Sequence, residues 1–286
     1  MIVVTGATGQ FGHQVVEHLL KLGVPADGIA AAVRTPEKAA GLADRGVQVR
    51  VADYDRPETL APAFAGADKL LLVSSTGPDP LRITQHRAAV DAAKQAGVGL
   101  VVYTSIIEAD TNTIGLARVH RDTEQAIAES GLPAVLLRNG WYTENYTADL
   151  AGAVERGSIA GSAGEGRIAS AARADYAEAA AVVLTRDDQA GKVYELTGDT
   201  TWTLADLAAA TTAAAGKEVG YADLPAEQYA GILASVGLPE FVVELVVDAD
   251  VQVSRGALAT VTDHLSRLLG RPTTPLAVTV AQALAG

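Results

Sequence analysis

The chain has 286 residues, no cysteine and a formal net charge of −12, and 49% of its residues are apolar. That length buries an ample core, either as one large α/β domain or as a dinucleotide domain with a smaller lobe, and the missing thiol excludes disulfides, thiolate metal sites and a cysteine nucleophile. An acidic surface without a basic stripe disfavours nucleic-acid binding, and no apolar run reaches the length of a membrane span.

The opening run to Thr5 reads as a buried parallel strand rather than a secretory leader, since it lacks a basic flank and a cleavage site. A cytoplasmic location is the corresponding expectation. The run leads into glycines at Gly6, Gly9 and Gly12. Gly6 allows a tight turn, Gly9 leaves room for a pyrophosphate, and Gly12 lets the following helix pack close to the strand. The helix starting near Gln10 aims its unsatisfied N–H groups and positive dipole end at the same spot. Val15, Val16, Leu19 and Leu20 follow at helical spacing before Gly23 and Pro25 end the helix.

A second strand, Gly28 to Val33, ends at Arg34. Sites for NAD usually carry a carboxylate there for the ribose 2′-hydroxyl; a guanidinium suits a 2′-phosphate instead, and Lys38 adds a second positive charge. The expected cofactor is NADPH. Further strands are predicted over Val47–Val51, followed by Asp53 to meet an adenine edge, and over Leu70–Val73, followed by Ser74, Ser75 and Thr76 with room for a ribose. A helical stretch from Gln85 to Gln95 precedes the strand Leu100–Tyr103, which ends near Ser105, a candidate to bond an acceptor oxygen. His120 and Glu124 stand four apart on the next predicted helix, where His120 is a candidate proton relay. A sixth strand is predicted over Ala134–Leu137.

Strands alternating with helices predict a Rossmann-type doubly wound parallel sheet with a smaller, mostly helical C-terminal substrate lobe. We assign residues 1–150 to an NADP-binding domain and 151–286 to the lobe, where Thr203 and Asp206 mark a capped helix start. The histidines lack metal-ligand spacing, so no metal is expected.

The Thr5 to Gly12 pattern resembles the NmrA-like, atypical branch of the short-chain dehydrogenases. Typical members use Tyr-x-x-x-Lys as proton donor, but none of the eight tyrosines here is followed four residues later by lysine. Hydride addition to a ketone yields an alkoxide of parent pKa near ~15.7, which needs a positioned acid, whereas a quinone yields a phenolate-like anion of pKa roughly 10. Quinones, or cationic dyes that become neutral, therefore suit this chain best.

Longer blocks, namely Ala52-Asp-Tyr54, His86, Tyr103-Thr-Ser105, Leu137 to Tyr146, Arg173-Ala-Asp-Tyr176 and Lys192 to Leu196, are similar to the bacterial type 2 NAD(P)H:quinone oxidoreductases. That resemblance implies a flavin-free NADPH enzyme passing hydride directly to a quinone. It implies cofactor contacts at Gly6, Thr8, Gly9, Gln10, Phe11, Arg34, Ser74, Ser75, Thr76, Arg138, Asn139, Gly140, Trp141, Tyr142 and Thr143. Tyr142 and Asn145 are candidates for the acceptor, Tyr142 by ring stacking. Two alternatives stand beside this reading: an NmrA-like redox sensor that binds NADP(H) without turnover, and a reductase of triphenylmethane dyes, ketones or imines. Fold analogy suggests a homodimer.

Overall fold

In the computed structural model, which describes residues 1–285, nine strands form two sheets. They are β1 (Ile2–Thr5), β2 (Ile29–Val33), β3 (Gln48–Val51), β4 (Lys69–Leu72), β5 (Leu100–Ile106), β6 (Ala134–Asn139), β7 (Ser158–Gly161), β8 (Val193–Leu196) and β9 (Gly220–Asp223). The large sheet has the order β3-β2-β1-β4-β5-β6-β8, and β7 pairs with β9. Its pairs β1–β2, β2–β3, β1–β4, β4–β5 and β5–β6 all run parallel, confirming the doubly wound expectation. Chain order reverses between β1 and β4, and that switch point is where such sheets hold ligands, beyond the carboxyl ends of the strands.

Residues such as Val3, Ala30, Leu70, Leu72, Val101 and Tyr103 are buried in one core. Burial on both faces explains why these strands read as continuous apolar runs. The helix Gln10–Lys21 buries Phe11, Val15 and Leu19 at four-residue spacing, each such side chain contributing about 1.5–3 kcal/mol. β5 and β6 extend past their predicted ends, so Ser105, Arg138 and Asn139 lie inside strands. The helix predicted from Gln85 begins earlier, at Asp79.

Two compact units emerge, and they interleave along the chain: residues 1–110, 118–139 and 176–195 form the first, and 111–117, 140–175 and 196–285 the second. Residues 140–150, assigned by sequence to the first domain, fall in the second unit. The predicted strand near Lys192 becomes β8 at the edge of the large sheet. β7 and β9 carry no sequence expectation. Each is four residues long and partly exposed, so neither leaves a clear apolar signature.

In the second unit, Thr203 and Asp206 form the expected capping box on the helix Leu204–Ala215. The buried Asp175 carboxylate holds Arg271 Nη2 at 2.9 Å and Thr274 N at 2.7 Å. Asp250, also buried, accepts from Ser162 N at 2.9 Å and from the Tyr146 hydroxyl at 3.4 Å. Burial pushes its pKa up from 3.8 to about 6. Because the folded value lies above the unfolded one, the folded chain loses stability as pH rises from roughly 4 to 6. Asp250→Asn is expected to flatten that limb and to raise stability at pH 7.5 by about 1–2 kcal/mol, read from urea unfolding at pH 4.5 and 7.5.

Candidate functional site

The glycine turn is built as its spacing predicts. Gly6 adopts φ +59°, a left-handed conformation that favours glycine. Gly9 N donates to Gly6 O at 2.9 Å, closing the turn. A Cβ at Gly12 would lie 2.4 Å from Gly6 O, so the helix meets the turn backbone to backbone. The helix start has neither a capping side chain nor an acidic residue in its first turn, which leaves its N–H groups open to an anion. Gly6, Thr8, Gly9 and Gln10 are exposed there, whereas the Phe11 side chain is buried in the core. Gly12→Ala is expected to cost about 1–3 kcal/mol of stability through overpacking and to abolish the thermal shift on adding NADPH.

Thr5 ties the neighbouring strand ends together. Its hydroxyl donates to Leu71 O at 3.0 Å and accepts from Val73 N at 2.8 Å, while the Tyr54 hydroxyl lies 2.8 Å from it. The segment after β4 is equally fixed: Ser74 N donates to Thr104 Oγ1 at 2.9 Å and Ser75 N to His86 Nε2 at 2.9 Å. Since His86 Nε2 accepts, its proton sits on Nδ1 and is shared with Thr123 Oγ1 at 2.8 Å. Burial, reinforced by the Arg82 charge, pulls the His86 pKa down to about 3, so the ring stays a neutral support for this segment. Thr76 is exposed at its tip.

Arg34 and Lys38 are both exposed just past β2, and no ion pair within the described residues occupies either. They are therefore available to a phosphate. Asp53 is more engaged: it accepts from Asp55 N at 3.1 Å and from Arg56 Nε at 3.3 Å.

Arg138 departs from expectation. Its Nε reaches Glu124 at 3.0 Å, Nη1 reaches Asp110 at 2.8 Å and Glu195 at 3.0 Å, and Nη2 reaches Asp110 at 3.0 Å and Glu124 at 2.6 Å. All five guanidinium donors are spent, so no side-chain donor is left for a cofactor. The expected contact narrows to the backbone, as it does for Phe11. Ser105 is also committed, its hydroxyl donating to Glu124 Oε1.

His120 and Glu124 do not act as a pair. Glu124 joins the Arg138 cluster, and the buried His120 places Nδ1 2.8 Å from the Tyr103 hydroxyl. Burial and the Arg82 charge hold the His120 imidazole well below its usual range, so it is neutral. Sequence reading missed Arg82 as part of this region, and it named Tyr103 and Thr104 only within a family-like block, without a role. Arg82, Gln85 and His86 share one helix face at i, i+3 and i+4, but starting the helix at Gln85 concealed that spacing.

In the second unit, Tyr142 pairs with Ala171 as a parallel bridge, and the Arg173 guanidinium lies 5.1 Å from the centre of the Tyr142 ring. Both Glu144 carboxylate oxygens accept from Arg173 N at 2.9 Å, which fixes this geometry. Thr143 is buried with its hydroxyl 2.8 Å from Ser170 Oγ, Trp141 is nearly buried, and Asn145 is exposed. Sequence reading placed Arg173 in the family-like block Arg173-Ala-Asp-Tyr176 but gave it no role.

A family model described as NAD(P)H-binding matches residues 6–187. Quinone oxidoreductase 2 of Escherichia coli (strain K12) is 50% identical over 281 residues, 98% of each chain. The crystal structure of the NADPH-dependent quinone oxidoreductase of Escherichia coli complexed with NADPH is similar at a TM-score of 0.95 and 49% identity, over 99% of this chain and 100% of that one. Citrobacter sp. triphenylmethane reductase complexed with NADP(H) is also similar, at a TM-score of 0.95 and 41% identity, over 99% of this chain and 100% of that one.

Proposed function

This chain belongs to the NAD(P)H-binding family, and from that premise we propose that it is a flavin-free oxidoreductase passing hydride directly from NADPH to a quinone. The observation that carries the proposal is the end-to-end likeness to an NADPH-dependent quinone oxidoreductase. The glycine turn fits a dinucleotide on its own evidence, because the missing Cβ at Gly12 lets the helix pack against Gly6 O and bring its uncapped start up to the turn.

When bound, NADPH supplies the hydride. The chain's own groups bind and orient. Backbone N–H groups at the start of the helix Gln10–Lys21 would hold the pyrophosphate beside Gly6, Thr8 and Gly9, Arg34 and Lys38 would take the 2′-phosphate, Asp53 would meet the adenine edge, and Ser74, Ser75 and Thr76 would leave room for the ribose. Arg138, through its backbone, and Asn139, Gly140, Trp141, Tyr142 and Thr143 are the further cofactor contacts that the family likeness supports. Tyr142, stacked by Arg173, and Asn145 are the residues proposed for the acceptor.

Proton delivery makes a small demand on the protein. A hydroquinone anion with a pKa of roughly 10 takes its proton from water without a dedicated acid. This agrees with a Ser105 hydroxyl tied to Glu124 and a neutral His120 bonded to Tyr103. The likeness to a triphenylmethane reductase supports cationic dyes as a second acceptor class. NADPH oxidation followed at saturating cofactor, with and without a small quinone, tests the proposal; stimulation of several-fold supports it, and binding without turnover across quinones and dyes replaces it with the sensor reading. Cytoplasmic residence and a homodimer complete the proposal, and cell fractionation and sedimentation velocity check them.

A further inference from the structure

Arg82 lies near the start of the helix Asp79–Gln95 and is only 7% exposed. Its Nη2 donates to Ser74 Oγ at 2.7 Å, and its Nε is buried without an acceptor. No carboxylate among the described residues pairs with it; Asp79, one turn earlier, acts on it only through space. Burying a cation without a counter-ion is costly, and arginine remains protonated even so. The rings of His86 and Tyr103 lie 5.9 Å apart and those of Tyr103 and His120 5.8 Å apart, forming one row. Arg82 is the charge that acts most strongly on all three, ahead of Asp122 at His86 and Glu124 at Tyr103, and the row adjoins the β1/β4 switch point.

We propose that Arg82 determines which class of hydride acceptor the protein reduces, favouring neutral quinones over cationic dyes. This rests on the reading of the chain as an NADPH:quinone oxidoreductase. In either reaction the C4–H bond of the dihydronicotinamide breaks and its electron pair leaves with the hydrogen, so the nicotinamide becomes cationic in both. The acceptors differ. A quinone gains the hydride, becomes a hydroquinone monoanion, and then takes a proton from water. A triphenylmethane cation gains the hydride at its central carbon and leaves neutral. A fixed positive charge attracts the first as negative charge develops, and repels the second before reaction. The nicotinamide contribution is common to both and cancels from their ratio.

The experiment compares kcat/KM for 1,4-naphthoquinone and for malachite green in wild-type protein, Arg82→Met, Arg82→Gln and Arg82→Lys, with NADPH affinity and thermal midpoint measured on the same preparations. In the two neutral variants the quinone-to-dye ratio is expected to fall by at least about 30-fold, while Arg82→Lys stays within about fivefold of wild type. Dye turnover that is undetectable in wild type and emerges in a neutral variant is the same result. Gln can retain a hydrogen bond to Ser74 and serves if the Met variant does not fold. Parallel loss of both activities, or an unmoved ratio, overturns the proposal by showing a merely structural Arg82. Wild-type protein that binds NADPH but reduces no quinone would instead overturn the functional reading on which the proposal stands.

Discussion

Arg34→Ala is expected to raise the KM for NADPH by about 10- to 100-fold while leaving that for NADH within about threefold. The range follows from losing charge-assisted hydrogen bonds to a phosphate, worth about 1.5–3 kcal/mol. Arg34 is suited to this role because it is exposed just past β2, with no ion pair among the described residues to compete for it. Lys38 supplies a point charge rather than a planar fork, so Lys38→Ala has a smaller effect. Both effects shrink as salt rises, since exposed charges are screened. Initial rates against each cofactor, at low and high ionic strength, measure them. Equal losses for NADPH and NADH would remove the 2′-phosphate assignment.

The second large effect is one of stability. Arg138→Ala leaves Asp110, Glu124 and Glu195 facing one another without their shared cation. Removing one side of a buried ionic cluster typically costs about 3–5 kcal/mol, here chiefly through Glu124, whose side chain is 10% exposed against 71% for Asp110. For a chain of this size that corresponds to a drop of roughly 10 °C in the thermal midpoint. Bonds to Glu124 and its neighbours raise the Arg138 pKa, so the guanidinium stays charged and the cluster holds in wild type. In the variant the three carboxylates repel one another, and added salt screens that repulsion, so the deficit shrinks as ionic strength rises. Thermal scans at low and high salt distinguish this from a cavity effect, which would be the same in both. Arg138→Lys keeps the charge with fewer donors and falls between.

Much of the glycine turn and of the strand ends around it was legible because its causes are local. Gly6, Gly9 and Gly12 mark places where a Cβ or a right-handed backbone does not fit, and Arg34 follows directly from a strand end. Arg82 was not legible, because it acquires its meaning only when the end of β4 brings Ser74 over it. Arg138 was misread for a related reason: its partners stand at 110, 124 and 195, and nothing in the strand Ala134–Asn139 announces them.

The amino-acid order alone settled the parallel strands, the glycine turn and the cationic residue beside it, since apolar periodicity and backbone sterics act over a few neighbours. Folding in three dimensions decided which polar groups are free and which are consumed: Ser105 and Arg138 are spent on carboxylates, His86 and His120 are kept neutral, and Arg82 is buried with no carboxylate bonded to it among the described residues. Electrostatic pairing and desolvation depend on distances between residues far apart in the chain, and those distances exist only once the sheet has formed.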